Sequence, residues 1–166
     1  MDQQASIQPS LDPIRNAARA ALTRHSFCTL ATSSAQNRPH VVGVVYSFVE
    51  GRLYVHTFAD SRKARNIRAN PYVAVCVPVR RVPMAPPFCV QFQATAELLD
   101  VDAAQIASLV RSGRLRKIAA HGALEAPGSC IVRITPGPTI STYGIGVPML
   151  TLLRDPLRAS RNASWR

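Results

Sequence analysis

The segment DSRKARNIRANPYVAV, residues 60–75, places several groups that can bind a phosphate directly before an apolar stretch. Either Asp60 or Ser61 can cap a helix whose first turn exposes free N–H groups and the positive end of the helix dipole. Arg62 and Lys63 occupy that first turn. Because a helix N-terminus flanked by cations is a typical anion site, the segment predicts a clamp for a phosphate.

The residues around this helix start can complete the clamp. On a helix, one face is shared by Arg62, Arg65 and Asn66, while Ala64 and Ile67 can face the core. Thr57 ends the preceding predicted strand, and its hydroxyl can join a guanidinium and an ammonium in binding phosphate oxygens. The alternative is a surface helix whose arginines are only solvated. From the spacing alone this alternative is the more common arrangement, because charged helix faces are usual.

Length and composition indicate one globular domain. The chain has 166 residues, of which 47% are hydrophobic and 17% charged, so a sizeable core can form. No apolar stretch approaches the roughly 18 residues that a membrane span requires. The first residues lack the basic and then apolar pattern of a secretory signal. We therefore expect a cytoplasmic protein that has no membrane partner.

The spacing of cysteine and histidine gives no sign of a metal site. The four cysteines, Cys28, Cys76, Cys89 and Cys130, are far apart, and each lies inside an apolar segment. None forms a CxxC pair or a pair with histidine at zinc spacing. We therefore expect no metal, and four buried thiols in a reducing compartment. The four histidines also lack the neighbours of a hydrolase triad.

The formal net charge of +11 favours anionic partners, such as nucleic acid or a phosphorylated cofactor. A basic barrel that binds nucleic acid without catalysis is one alternative, but such barrels use exposed aromatic side chains. Only 6% of the residues are aromatic, and most of them alternate into apolar strand faces. We therefore do not expect nucleic acid as a partner. A second basic cluster, residues 111–117, fits either a solvated helix C-terminus or a rim that attracts an anionic substrate.

The hydrophobic periodicity predicts a mainly β domain. One helix begins at Asp12 and Pro13, a second covers about 60–70, and a third follows Asp102. Strands are predicted over residues 27–32, 40–49, 52–58, 72–79, 88–97, 130–135 and 139–146, with a turn at Pro136–Pro138. The most economical architecture is a six- or seven-stranded antiparallel barrel, closed or partly closed, with two to three flanking helices.

We expect this single domain to cover residues 1–166, with a flexible N-terminus at 1–11 and a C-terminal arm at 141–166. The arm is apolar but interrupted by glycine and proline. Exposed on a monomer, it would be a large apolar patch. We therefore expect it to pack on the barrel or on a second subunit.

One longer segment resembles a known family. The segment LYVHTFADSRKARNIRANPYVAV, between PHVVGVVYSFVEG and VQFQATAELL, resembles the pyridoxamine 5′-phosphate oxidase-like superfamily of FMN-binding split barrels. It is also similar to the flavin- and deazaflavin-dependent oxidoreductases of actinobacteria. The resemblance covers about residues 12–135. It implies a split β-barrel, a homodimer with the cofactor at the subunit interface, and an oxidoreductase that uses FMN or the deazaflavin F420.

The resemblance also implies which residues hold the cofactor. The arginine and lysine that bind the FMN phosphate in the family match Arg62 and Lys63, and Ser61 lies beside them. The family's contacts at the end of the third strand match His56 and Thr57. The second and fifth strands are implied to line the flavin, at Val42 and Val44 on the second and near Cys89 and Gln91 on the fifth.

Departures from the oxidases themselves restrict the reaction. The second strand, VVGVVYSF, has no lysine, and the C-terminus RASRNASWR has no histidine. No tyrosine follows Glu97 before Tyr143. Pyridoxamine phosphate oxidases use such residues to bind their substrate. The resemblance therefore implies hydride transfer to or from another small organic substrate rather than the formation of pyridoxal phosphate.

FMN is preferred over F420 because the adjacent Arg62–Lys63 pair matches the FMN-binding oxidases. No catalytic residue is assigned from the sequence, and a proton could come from water, Tyr46 or His56. A flavin-binding barrel without turnover is the non-catalytic alternative with the same fold.

Overall fold

A computed structural model describes residues 13–79, 88–145, 147, 150, 154–155 and 159–165. The predicted flexible N-terminus, most of the proline-rich loop after β5 and part of the C-terminal arm lie outside these residues. In chain order the elements are α1 (Pro13–Arg24), β1 (Phe27–Ser33), β2 (Pro39–Val45), β3 (Ser47–Val49), β4 (Arg52–Phe58), α2 (Arg62–Ala69), β5 (Tyr72–Val79), β6 (Phe88–Asp100), α3 (Ala104–Arg111), a 3₁₀ helix (Ala120–Glu125), β7 (Ser129–Tyr143) and β8 (Ser160–Ser164). No helix within the described ranges has the length and apolar character to span a membrane.

The strands form one antiparallel sheet in the order β2-β1-β5-β6-β7-β4-β3, and β8 adds to β7 outside this path. The sheet curls until β2 approaches β4, which produces a half-barrel with three α-helices at its margins. The predicted mainly β split barrel is therefore confirmed.

Apolar side chains at alternate positions along the strands fill the interior of the barrel. On β6, Phe88 and Val90 are buried, whereas Gln91 is exposed, as the period of two predicts. Helix α1 adds Ala18 and Leu22, which are both fully buried, to the same core. The apolar spacing of α1 thus serves to close one side of the barrel.

The single strand predicted over residues 40–49 is two strands in the structure. The pairing of β2 with β1 ends at the Val45–Phe27 pair, and β3 pairs with β4 instead. Tyr46, between them, is fully buried, and its hydroxyl donates to the carbonyl of Leu22 at 3.0 Å. The phenol anchors α1 at the point where the chain changes partner, and it is too deeply buried to deliver a proton to a surface site.

The two strands predicted around Pro136 and Pro138 are one strand, β7. Its register against β6 shifts between Phe92 and Ala94, so the prolines lie where the ladder is irregular and a missing N–H is tolerated. Beyond it, the C-terminal residues pair with β7 as β8, and the N–H of Trp165 donates to the carbonyl of Pro138 at 2.8 Å. This described part of the C-terminal arm packs on the barrel.

All four cysteines are free, as predicted. Cys28 and Cys130 are buried as predicted, but the predicted burial is wrong for Cys76 and Cys89, which are only half-buried on the outward face of the sheet. Burial raises the pKa of Cys28 to about 12 and that of Cys89 to about 11, so both remain thiols at neutral pH.

The outward face of β1, β2 and β5 carries an exposed apolar surface. Phe27 and Val45 lie opposite one another across the β1–β2 ladder and are 50% and 48% exposed. Val41 and Tyr72 extend the same face with exposures of 60% and 72%. We call these four residues the apolar face.

Candidate functional site

Helix α2 begins at the predicted position. Ser61 is its N-cap, with φ −65° and ψ 154°, and the Ser61 hydroxyl accepts a hydrogen bond from the N–H of Ala64 at 3.3 Å. Of the two capping residues that the sequence allows, the structure uses Ser61 rather than Asp60. The first-turn N–H groups of Arg62 and Lys63 have no partner inside the helix and lie at the positive end of its dipole.

Thr57, at the end of β4, joins this helix start through its side chain. The ammonium Nζ of Lys63 donates to Thr57 Oγ1 at 2.9 Å, and the Ser61 hydroxyl lies 2.9 Å from the same oxygen. If Thr57 donates to Ser61, the Ser61 proton and two ammonium protons remain available to an anion. Thr57, Ser61, Arg62 and Lys63 form what we call the phosphate cradle.

The three arginines of α2 have different environments. Arg62, the cradle residue in the first turn, is exposed. Arg65 donates to the carbonyl of Asp60, and Arg68 donates to the carbonyl of Ala59 at 2.6 Å. Arg65 and Arg68 therefore hold the β4–α2 turn in place, and Arg62 is the guanidinium best placed to reach a bound phosphate.

Asn66 lies on a different face from the one predicted. Its side chain is buried with Ala64 and Ile67, and its amide Nδ2 donates to Thr32 Oγ1 on β1 at 2.9 Å. The expectation that Asn66 shares an exposed face with Arg62 is wrong, because Asn66 ties α2 to the barrel. Its amide nitrogen is already engaged in that tie.

His56 lies next to the cradle on β4, and its Nε2 is 3.1 Å from the hydroxyl of Ser129. That hydroxyl donates to the carbonyl of Ala123 at 2.9 Å, so it accepts from the imidazole and fixes the proton on Nε2. Burial, and then the charge of Lys63, lower the pKa of His56 below its ordinary value of 6.5. A neutral imidazole at neutral pH is the consequence.

The residues predicted to line the flavin on β2 and on β6 have different environments. Val42 and Val44 point into the core of the barrel, so only the backbone of β2 at these positions could border a cofactor. Gln91 lies on the outward face of β6 and lines a cavity of about 500 Å³ together with Cys76 and Ser141. Among the described residues, that cavity is lined by none of the cradle side chains.

Sequence reasoning did not find Ser129 or Thr32. Ser129 orients His56 from 73 residues away, and Thr32 holds Asn66 from 34 residues away. No local spacing links such pairs, since they meet only because β7 and β1 come to α2 and β4 in the folded sheet.

The amino-acid sequence decides the family. The family model for pyridoxamine 5′-phosphate oxidase matches residues 14–138, which include the cradle and most of the barrel. The chain belongs to the pyridoxamine 5′-phosphate oxidase family. No curated protein matches the chain in sequence.

Solved structures with the same fold have different ligands in their names. The heme storage protein HutZ from Vibrio cholerae is 20% identical, with a TM-score of 0.67, over 77% of this chain and 93% of its own. An FAD-binding protein from Mesorhizobium loti is 23% identical, with a TM-score of 0.62, over 80% of this chain and 94% of its own. An F420 reductase is 24% identical, with a TM-score of 0.51, over 72% and 92%. At these identities the similarity shows the fold alone.

Proposed function

We propose that this protein is an FMN-dependent oxidoreductase that transfers a hydride to or from a small organic substrate. The observation that carries the proposal is the phosphate cradle, in which Lys63 Nζ is held by Thr57 Oγ1 at the N-terminus of α2. Membership of the pyridoxamine 5′-phosphate oxidase family and the existence of an FAD-binding protein with this fold support a flavin.

The cradle suits a phosphomonoester. It offers an ammonium, a guanidinium, a hydroxyl and two first-turn N–H groups, all of which are hydrogen-bond donors. The hydrogen bonds that such donors make are shorter and stronger when the acceptor is charged. Lys63 would hold one phosphate oxygen, and Arg62 could reach one or two more. FMN ends in such a group, and once bound it would supply the hydride chemistry that no protein side chain provides.

Neutral His56 borders the cradle with its proton on Nε2, where Ser129 holds it. The other ring nitrogen, Nδ1, is therefore an acceptor that can orient a cofactor or substrate donor. Tyr46 and Asn66 take no part in the proposal, because the Tyr46 hydroxyl donates to the carbonyl of Leu22 and the Asn66 amide nitrogen donates to Thr32.

A homodimer completes the proposal. The apolar face, formed by Phe27, Val41, Val45 and Tyr72, is exposed on the isolated chain. Gln91 and the cavity of about 500 Å³ open on the same side of the sheet. A second copy packed on the apolar face would remove it from water and could bring Gln91 to the cofactor held by the first. We further expect the cytoplasm, because all four cysteines are free thiols.

The absorption spectrum of the purified protein tests the cofactor, followed by titration with FMN and with F420 in the tens of micromolar range. A flavin spectrum or saturable FMN binding is expected. Saturation by F420 alone would make the protein a deazaflavin-dependent reductase, and a Soret band would indicate heme. Absence of binding by FMN and F420 would refute the proposal, and a gel shift with random oligonucleotides would then test the nucleic-acid alternative.

A further inference from the structure

A second basic cavity lies at the other end of β4 from the phosphate cradle. It has a volume of about 470 Å³ and is bordered by α1, the β3–β4 hairpin and the segment after α3. The residues that matter for its chemistry are Arg19, Ser47, Glu50, Arg114, Arg116 and Lys117. We call it the hairpin cavity. Thr57 lies six positions along the chain from Gly51, at the edge of this cavity, so the two sites are about 20 Å apart along the strand.

The charges around the hairpin cavity are not balanced. Glu50 is its one carboxylate among the described lining residues, and it pairs with Arg114 at 2.7 Å. Lys117 donates from Nζ to the carbonyls of Thr23 and His25, both at 3.2 Å, which holds it at the C-terminal end of α1. Its ammonium has no carboxylate partner in the described part of the chain.

Two guanidinium groups remain to bind a ligand. Arg116 is exposed and forms no ion pair with any described residue. Arg19 lies with its Cζ 4.5 Å from the centre of the Trp165 ring, a cation–π contact that positions the guanidinium without neutralising it. Three positive charges are thus uncompensated, which favours an anion with more than one negative charge.

Ser47 supplies an independent sign of a ligand. It lines the hairpin cavity and is 2% exposed, and its Oγ has no hydrogen-bond partner among the described residues. A buried hydroxyl without a partner destabilises the folded protein, so such groups are rare. Rotation about its Cα–Cβ bond would let this hydroxyl donate to a ligand at the inner end of the cavity.

We propose that the hairpin cavity binds a small phosphorylated molecule at a site separate from the phosphate cradle. Arginine forks match phosphate oxygens better than single carboxylates do, and the volume lies in the range of small-molecule sites. Nucleic acid is a poorer fit, because Phe48, its aromatic lining residue, packs edge-on against Trp165 with ring centres 6.1 Å apart.

Trp165 makes the site measurable, because it is the only tryptophan and contacts Arg19. Titration with inorganic pyrophosphate should change its fluorescence saturably. Arg116→Ala should weaken binding by about tenfold or more, since one charge-assisted contact is lost. Arg161→Ala on β8 removes the same charge from an exposed position outside the cavity and should change the affinity less than about twofold.

Ser47→Ala gives a second readout that a structural role would not produce. It should lower pyrophosphate affinity by about three- to tenfold while leaving the thermal unfolding midpoint unchanged or raised, because an unpartnered hydroxyl is removed. Lys63→Ala impairs the phosphate cradle but leaves the hairpin cavity intact. Titration of this variant with pyrophosphate therefore tests the hairpin cavity independently of the proposed flavin function.

Three outcomes would overturn the proposal. The first is the absence of a saturable fluorescence change with pyrophosphate. The second is an equal weakening by Arg161→Ala and Arg116→Ala, which would show only diffuse attraction. The third is binding of single-stranded oligonucleotides that depends on Arg116 when pyrophosphate does not bind, which would assign the cavity to nucleic acid.

Discussion

Lys63 Nζ lies 2.9 Å from Thr57 Oγ1, and this hydrogen bond joins the first turn of α2 to the last residues of β4. The bond fixes a flexible lysine whose ammonium would otherwise sample many rotamers. Less conformational entropy is then lost when an anion binds at the helix start. The short β4–α2 turn, with Ser61 as the cap, is what brings these two residues together.

Replacement of Lys63 by alanine should weaken FMN binding. The loss of one charge-assisted contact, about 1.5–3 kcal/mol, corresponds to a roughly 10- to 150-fold lower affinity. Arg62→Ala should cost at least as much if its fork binds two phosphate oxygens. Fluorescence titration of the apoprotein with FMN measures both effects.

Riboflavin, which lacks the phosphate, is the ligand control for that prediction. Wild type and Lys63→Ala should bind riboflavin about equally weakly. Arg161→Ala, with the same change of charge, should bind FMN like the wild type. A loss of FMN affinity in Arg161→Ala equal to that in Lys63→Ala would mean that net charge attracts the cofactor and that no cradle exists.

The lowered pKa of His56 predicts an acid-side loss of stability. The unfolded chain takes up a proton near pH 6.5, whereas burial and Lys63 keep folded His56 neutral to lower pH. The folded state therefore loses stability as the pH falls through this window, and the loss ends below the lowered pKa. His56→Gln keeps a donor toward Ser129 but cannot titrate, so it should lose less stability than the wild type between about pH 7 and about pH 5.

Nuclear magnetic resonance titration of the His56 ring separates the two causes of the shift. In Lys63→Ala the pKa of His56 should rise toward 6.5, because the repulsive ammonium is gone, while the contribution of burial remains. A phosphate bound in the cradle should raise the pKa in the same direction. An unchanged His56 midpoint in Lys63→Ala would contradict the proximity of the two groups.

The sequence predicts most of the barrel because its strands obey a period of two and its helices have local caps. β1, β4, β5 and the start of β6 lie where alternation places them, and Glu50–Gly51 forms the predicted turn with φ of 49° and 78°. The start of α2 is equally local, since Ser61 and Arg62 are neighbours of the strand that ends at Thr57.

The remaining features depend on contacts between distant parts of the chain. The division at Tyr46 follows from its hydrogen bond to Leu22, and the continuity of β7 through Pro136 and Pro138 follows from the irregular register with β6. From the sequence, the continuous apolar pattern of residues 40–49 predicts one strand, and the two prolines predict a break between two strands. The helical spacing of Asn66 likewise predicts that it belongs to a polar face, whereas in the structure its side chain is hydrogen-bonded to Thr32.

The apolar face should mediate the proposed homodimer. Val41→Glu places a carboxylate in this face, and burying that charge without a partner would cost several kcal/mol, so the dimer should dissociate to monomers. Val110→Glu on α3, an exposed apolar residue outside this face, is the matched control and should leave the molar mass unchanged. Light scattering after size-exclusion chromatography measures both. A wild-type monomer at all concentrations would contradict the dimer.

The tie between Asn66 and Thr32 should contribute to folding stability. Asn66→Ala leaves the buried Thr32 hydroxyl without its donor, and the free energy of unfolding should fall by about 1–3 kcal/mol. Thr32→Val removes the other partner, and the double variant should be less destabilised than the sum of the single variants, because the interaction is lost only once. Urea denaturation of the four proteins gives the coupling energy. Strict additivity would show that the two side chains do not interact in solution, and α2 would then need another anchor to hold Lys63 at the cradle.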